Sequence, residues 1–67
     1  MNKITDENIE LVIKTIKCKY YKNIPFYLAS RKVRLHLCNI LKCNVSDFSE
    51  NDKLTINFLL KEFLDEL

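Results

Sequence analysis

The chain contains no glycine and no tryptophan, and one proline, Pro25, among its 67 residues. Glycine supplies the positive backbone torsions of phosphate-cradling loops and tight hairpin turns, so its absence argues against both and favours helices. Long apolar runs are missing as well. No stretch nears the ~18 residues a membrane span needs. No apolar stretch follows Lys3 in the opening residues, so they are not expected to act as a secretory signal. Cysteine is scarce and odd in number: Cys18, Cys38 and Cys43. Without an export signal these are expected to be reduced thiols in a cytosolic or nuclear protein. A chain this short is a single domain, residues 1–67, and buries only about 60% of its unfolded surface. It has no room for an active site between two lobes.

The most informative absence is of acid. Between Leu11 and Ser46 there is no Asp or Glu, while Lys14, Lys17, Lys19, Lys22, Arg31, Lys32, Arg34 and Lys42 all fall there. The rest of the chain holds nine acids against Lys3, Lys53 and Lys61. The net charge of +2 therefore conceals acidic ends and a basic middle. Such sorting produces a surface field far larger than the net charge implies. The basic run reads either as an ordinary solvated face or as a polyanion-binding face.

What is present is helical. Thr5 or Asp6 caps a first helix, with Asp6, Glu7 and Glu10 where the dipole favours acid. Ile4 and Ile9 are spaced as a hydrophobic staple. Ile9, Val12, Ile13 and Ile16 recur on one face. Lys14, Lys17, Lys19 and Lys22 follow at its basic end. Residues 18–29 form a connection, in which Pro25 opens a short helical turn. Tyr20, Tyr21, Phe26 and Tyr27 are expected to pack core and hinge there rather than stack on bases. A second helix is expected from a Ser30 cap to about Lys42, with Val33, Leu37, Ile40 and Leu41 inward and Asn44 left-handed at its end. Arg31, Lys32 and Arg34 would then occupy its first turn, against the dipole, which points to a role outside the fold. Leu35 and Cys38 face outward. A third helix starts at Ser49, with Asp52 closing a capping box, and runs to about Glu66. Ile56, Leu59, Leu60, Phe63 and Leu67 form its main stripe, and Leu54 and Phe58 a second one. Val45 and Phe48 are expected to plug the core between helices. No segment alternates long enough to be a strand.

Ser30-Arg31-Lys32-Val33-Arg34 with Leu37, then Asn44-Val45-Ser46-Asp47-Phe48-Ser49, then the closing Lys61-Glu62-Phe63-Leu64-Asp65-Glu66-Leu67 resemble the C-terminal domain of the chromatin protein DEK, the DEK-C family. With the acidic start at Thr5-Asp6-Glu7, the resemblance covers nearly the whole chain. It departs in a longer first connection, an extra residue in the second turn, and Asn51-Asp52-Lys53 where the family has a basic pair. The resemblance implies a winged-helix-like domain without its wing, a nuclear setting, and association with DNA or chromatin.

His36, Cys38 and Cys43 point to different sides of a helix, so a metal site is not expected. One histidine with no paired nucleophile and acid gives no expectation of catalysis, and no cofactor is implied. The expectation is a small all-α domain of three to four helices that binds DNA or chromatin without enzymatic activity. Backbone contacts would come from Arg31, Lys32 and Arg34 above all, with Lys42, Lys14, Lys17, Lys19 and Lys22. Glu50 and Asp52 at the start of the third helix disfavour base reading there. The alternative is a protein-interaction or weakly dimerising module using Leu54, Phe58 and Leu35.

Overall fold

The computed structural model describes residues 4–16 and 19–66. Expectations for Lys17, Cys18 and Leu67 lie outside the described residues. The chain is all-α: α1 (Asp6–Thr15), a 3₁₀ turn (Lys19–Asn23), α2 (Phe26–Leu41), a second 3₁₀ turn (Val45–Asp47) and α3 (Glu50–Asp65). No described residue lies in a strand, and no described helix is long and apolar enough to cross a membrane.

Helix starts follow local hydrogen-bonding chemistry. Thr5 Oγ1 accepts from the backbone N–H of Asn8 at 3.1 Å, which fixes the first turn of α1. At α3 the capping is reciprocal: Asp52 N–H donates to Ser49 Oγ at 3.1 Å, and Ser49 N–H donates to Asp52 Oδ2 at 3.0 Å. Two donors that a helix N-terminus leaves unpaired are thereby satisfied.

The second helix begins four residues before the expected Ser30 cap. Pro25 stands at the N-cap, and its carbonyl accepts from Leu28 at 3.0 Å and Ala29 at 3.1 Å. Nothing in Phe26-Tyr27-Leu28-Ala29 interrupts a helix once Pro25 has preset its own torsion. Ser30 is thus interior to the helix and buried, and its hydroxyl donates to Asn57 Oδ1 on α3. The helical turn expected after Pro25 lies before it. At the other end, Lys42 rather than Asn44 takes the left-handed conformation, with φ 57°. Cys43 N–H then closes back on the Cys38 carbonyl at 3.2 Å. Asn44 instead opens the second 3₁₀ turn, and its N–H donates to Asp47 Oδ2 at 2.8 Å.

The core is one cluster. Ile9, Val12 and Ile13 come from α1, Ala29, Val33, Leu37 and Leu41 from α2, and Ile56, Leu60 and Leu64 from α3. Tyr21 and Phe48 close it from the connections. Each fully buried aliphatic side chain contributes roughly 1.5–3 kcal/mol of transfer free energy. Several inward assignments are corrected. Ile40 is exposed, because the inward row of α2 runs 29, 33, 37, 41 at four-residue spacing and Ile40 falls beside it. Leu64 is buried while Leu59 and Phe63 are half-buried, so the α3 stripe centres on 56, 60 and 64. Of the four connection aromatics only Tyr21 is core. Tyr20, Phe26 and Tyr27 are exposed, as is Val45. Cys38 is half-buried and packs on the core rather than facing outward.

Candidate nucleic-acid interface

α2 presents the basic face. Its sixteen residues contain no acid, and Arg31, Lys32 and His36 are exposed along it. Ser30 to Asn57 ties this helix to α3 at the level of Arg31. The neighbouring Arg34 is half-buried, and its Nε is screened from solvent without a hydrogen-bond partner. Its stem is packed, so the guanidinium is held near the surface at little further entropy cost. Among the described residues, neither Arg31, Lys32 nor Arg34 makes an ion pair; the pairs formed are Lys14–Glu10 at 2.9 Å and Lys53–Glu50 at 3.4 Å.

The first 3₁₀ turn lies against α2 and extends this face. Buried Tyr21 anchors the turn, and exposed Tyr20 stands beside it with ring centroids 6.4 Å apart. Together with Ile24 they border a shallow groove whose α2 wall is Lys32, Leu35 and His36. Lys19 and Lys22 are exposed on the same turn. A second groove, on the other side of Leu35, is lined by Arg31, Arg34 and Val45. Leu35 therefore sits as an apolar island, 51% exposed, between two sets of cations.

The expected basic residues do not all converge. Arg31, Lys32 and Arg34 share the α2 face, while Lys19 and Lys22 are exposed on the adjoining turn and line neither groove. Lys42 is exposed at the far end of α2, about 15 Å along the axis from Lys32 at 1.5 Å per residue. Lys14 lies apart, in the furrow between α1 and α3 beside Glu62 and Glu66, and its ammonium is held by Glu10. The hydrogen bond that Lys14 donates to Glu10, and then the Glu10 charge, push the Lys14 pKa up from 10.5. Arg31, Lys32 and Arg34 are also not in a first turn. With α2 starting at Phe26 they begin at its sixth residue, so the dipole no longer argues that their placement is anomalous. Tyr20 joins the face unexpectedly. The signal for Tyr20 was its adjacency to Tyr21, since neighbouring aromatics on a short turn seldom both point inward.

Leu54 and Phe58 are 67% and 63% exposed, one turn apart on α3. They stand with Asp6 and Glu10 of α1 at the outer furrow between those helices. The third partner-face candidate, Leu35, is on α2, so these residues do not form one patch.

Cys38 and Cys43 are free thiols. Burial first, then the nearness of Cys43 and the charge of Asp47, push the Cys38 thiol up from its ordinary 9.0. At neutral pH it is a protonated packing group. No three His, Cys, Asp or Glu side chains converge among the described residues. No family model, curated protein or solved structure matches the chain.

Proposed function

We propose that this domain binds nucleic acid through phosphate contacts of the α2 face. One observation carries the reading: Arg31, Lys32 and Arg34 lie on a helix that contains no acid and form no ion pair among the described residues, and the adjoining turn adds exposed Lys19 and Lys22. Three such arginine and lysine side chains on one helix face attract phosphate and release condensed counterions, which gives affinity indifferent to sequence. Shape and backbone are read, since the N-terminal end of α3 presents Glu50 and Asp52. The DEK-C resemblance supports the same reading and adds a chromatin, nuclear setting. Within the stretch that carries the resemblance, Val33 and Leu37 are core and Phe48 precedes the Ser49 cap, while Ser30 is not a cap.

The test is a titration of duplex DNA at several salt concentrations with the Arg31→Gln, Lys32→Gln, Arg34→Gln triple variant. Affinity should fall by a similar factor on every sequence, and the slope of log affinity against log salt should shrink by about 2–3. Unchanged affinity refutes the proposal. Loss confined to one sequence would instead assign direct base readout.

A further inference from the structure

Two surfaces of this molecule are unlike each other and complementary. The first is the furrow on the outer side of α1 and α3. Leu59 lies along its length, with Ile13 and Phe63 at one end and Leu54 and Phe58 at the other. Both walls are acidic: Asp6 and Glu10 stand on α1, Glu62 and Glu66 on α3. Lys14, the cation within it, is already held by Glu10. The second surface is the outer ridge of α2, where Leu35 projects between Arg31 and Arg34 on one side and Lys32 on the other.

The three helices pack pairwise, so the open side of the α1–α3 furrow faces away from α2. Ridge and furrow thus point in opposite directions and meet only between molecules. Charge decides which pairing is allowed. Furrow on furrow would set four carboxylates against four, and ridge on ridge would set cations against cations; like charges brought together this way cost several kcal/mol. Only ridge on furrow joins opposite signs and lets exposed apolar side chains bury one another.

We propose that the furrow takes the α2 ridge of a second copy of this chain, head to tail. Leu35 of one molecule seats against Leu54 and Phe58 of the next, and Arg31, Lys32 and Arg34 meet Asp6, Glu10 and Glu62. Because the two patches differ, each added copy leaves one furrow and one ridge free. Growth then continues past a dimer unless the rotation closes a ring. The proposal goes beyond the polyanion reading and does not rest on it. Where both hold, nucleic acid and the second copy compete for α2.

The test uses two variants altered at exposed positions: Leu54→Ser with Phe58→Ser, which spoils the furrow, and Arg31→Glu with Leu35→Ser, which spoils the ridge. Circular dichroism checks that both keep their helix content. In nucleic-acid-free, low-salt buffer, sedimentation of the unaltered chain should show mass rising with concentration beyond a dimer. Each variant alone should remain a monomer. Their equimolar mixture should form a one-to-one dimer and stop there, since one intact ridge meets one intact furrow. Salt should dissociate all of these assemblies. A monomeric parent at every concentration, or a mixture that stays monomeric, refutes the proposal. So does a salt-indifferent dimer lost only with Leu54 and Phe58, which would be a symmetric apolar contact. A resonance titration of the unaltered chain against its own dilution gives a second readout that needs no variant. Shifts should appear on both α2 and the furrow, and shifts on only one of them also refute it. The furrow variant should keep its DNA affinity, so failure here is separable from failure of the polyanion reading.

Discussion

At Ser30 a hydroxyl lies buried in the middle of a helix, where a serine costs helix propensity unless its side chain finds a partner. Asn57 of α3 supplies that partner, and the bond sets the rotation of α2 about its own axis. That rotation decides which way Arg31 and Arg34 face, so a neutral hydrogen-bonded pair between helices positions exposed Arg31 and half-buried Arg34. Ser30→Asp separates the two roles a serine has here. Asp is as good an N-cap as Ser, so at a helix start it would be neutral. In the helix interior, facing Asn57, it places a carboxylate without a cation in the core and should cost about 3–5 kcal/mol. Urea denaturation reads the difference, and an unchanged midpoint would return Ser30 to a helix end. The reason the sequence misled at this position is local. Ser-Arg-Lys-Val reads as a capped start, while the evidence for an earlier start is only that nothing between Pro25 and Ser30 stops a helix.

At the scale of elements, the three amphipathic stripes and the caps of α1 and α3 were legible, because spacing and hydroxyl or carboxyl chemistry are both printed in the residues. Phe48, Ile9, Val33 and Leu60 are core as their positions require. The end of α2 near Lys42 was legible, but its start and the residue that turns left-handed after it were not. The stop falls at Lys42 because the inward row ends at Leu41 and the chain must turn for Phe48 to reach the core. Tertiary packing outranked the local preference of Asn44 for the left-handed region. The candidate site was legible in composition but not in arrangement. The acid-free run picks out the cations by composition, yet only the fold shows that Lys14 lies apart from the α2 face, in the furrow of α1 and α3. A lysine in the left-handed region carries a steric penalty of about 1–2 kcal/mol that glycine does not. Lys42→Gly should therefore raise stability by about 1 kcal/mol, after the greater freedom glycine has in the unfolded chain is deducted. Thermal melting checks this, and a loss of stability would mean that the Lys42 stem contributes packing that outweighs the torsion.

At the scale of the whole molecule, charge is segregated and not interleaved. The α2 face gathers cations with no acid among them, and the furrow of α1 and α3 gathers Asp6, Glu10, Glu62 and Glu66. Each face repels itself, while the ion pairs that would offset this, Lys14–Glu10 and Lys53–Glu50, lie at the surface. Exposed pairs contribute about 0–1 kcal/mol and are screened by the same salt that screens repulsion. Screening should therefore remove more self-repulsion than attraction, and the sign of the net effect on stability is positive. Raising sodium chloride from about 0.02 to about 0.5 M shortens the Debye length from roughly 20 Å to roughly 4 Å, below the spacing of charges along either face. The melting temperature of the isolated monomer should rise over this range. Both DNA affinity and head-to-tail assembly should fall over the same range, because each joins opposite charges across an interface. The Arg31→Gln, Lys32→Gln, Arg34→Gln variant should show a smaller salt-induced rise, since one of the two self-repelling faces has been discharged. A melting temperature that falls with salt would show that attraction between the acidic and basic faces of one molecule outweighs repulsion within each. The charge sorting would then serve the fold itself and not a partner.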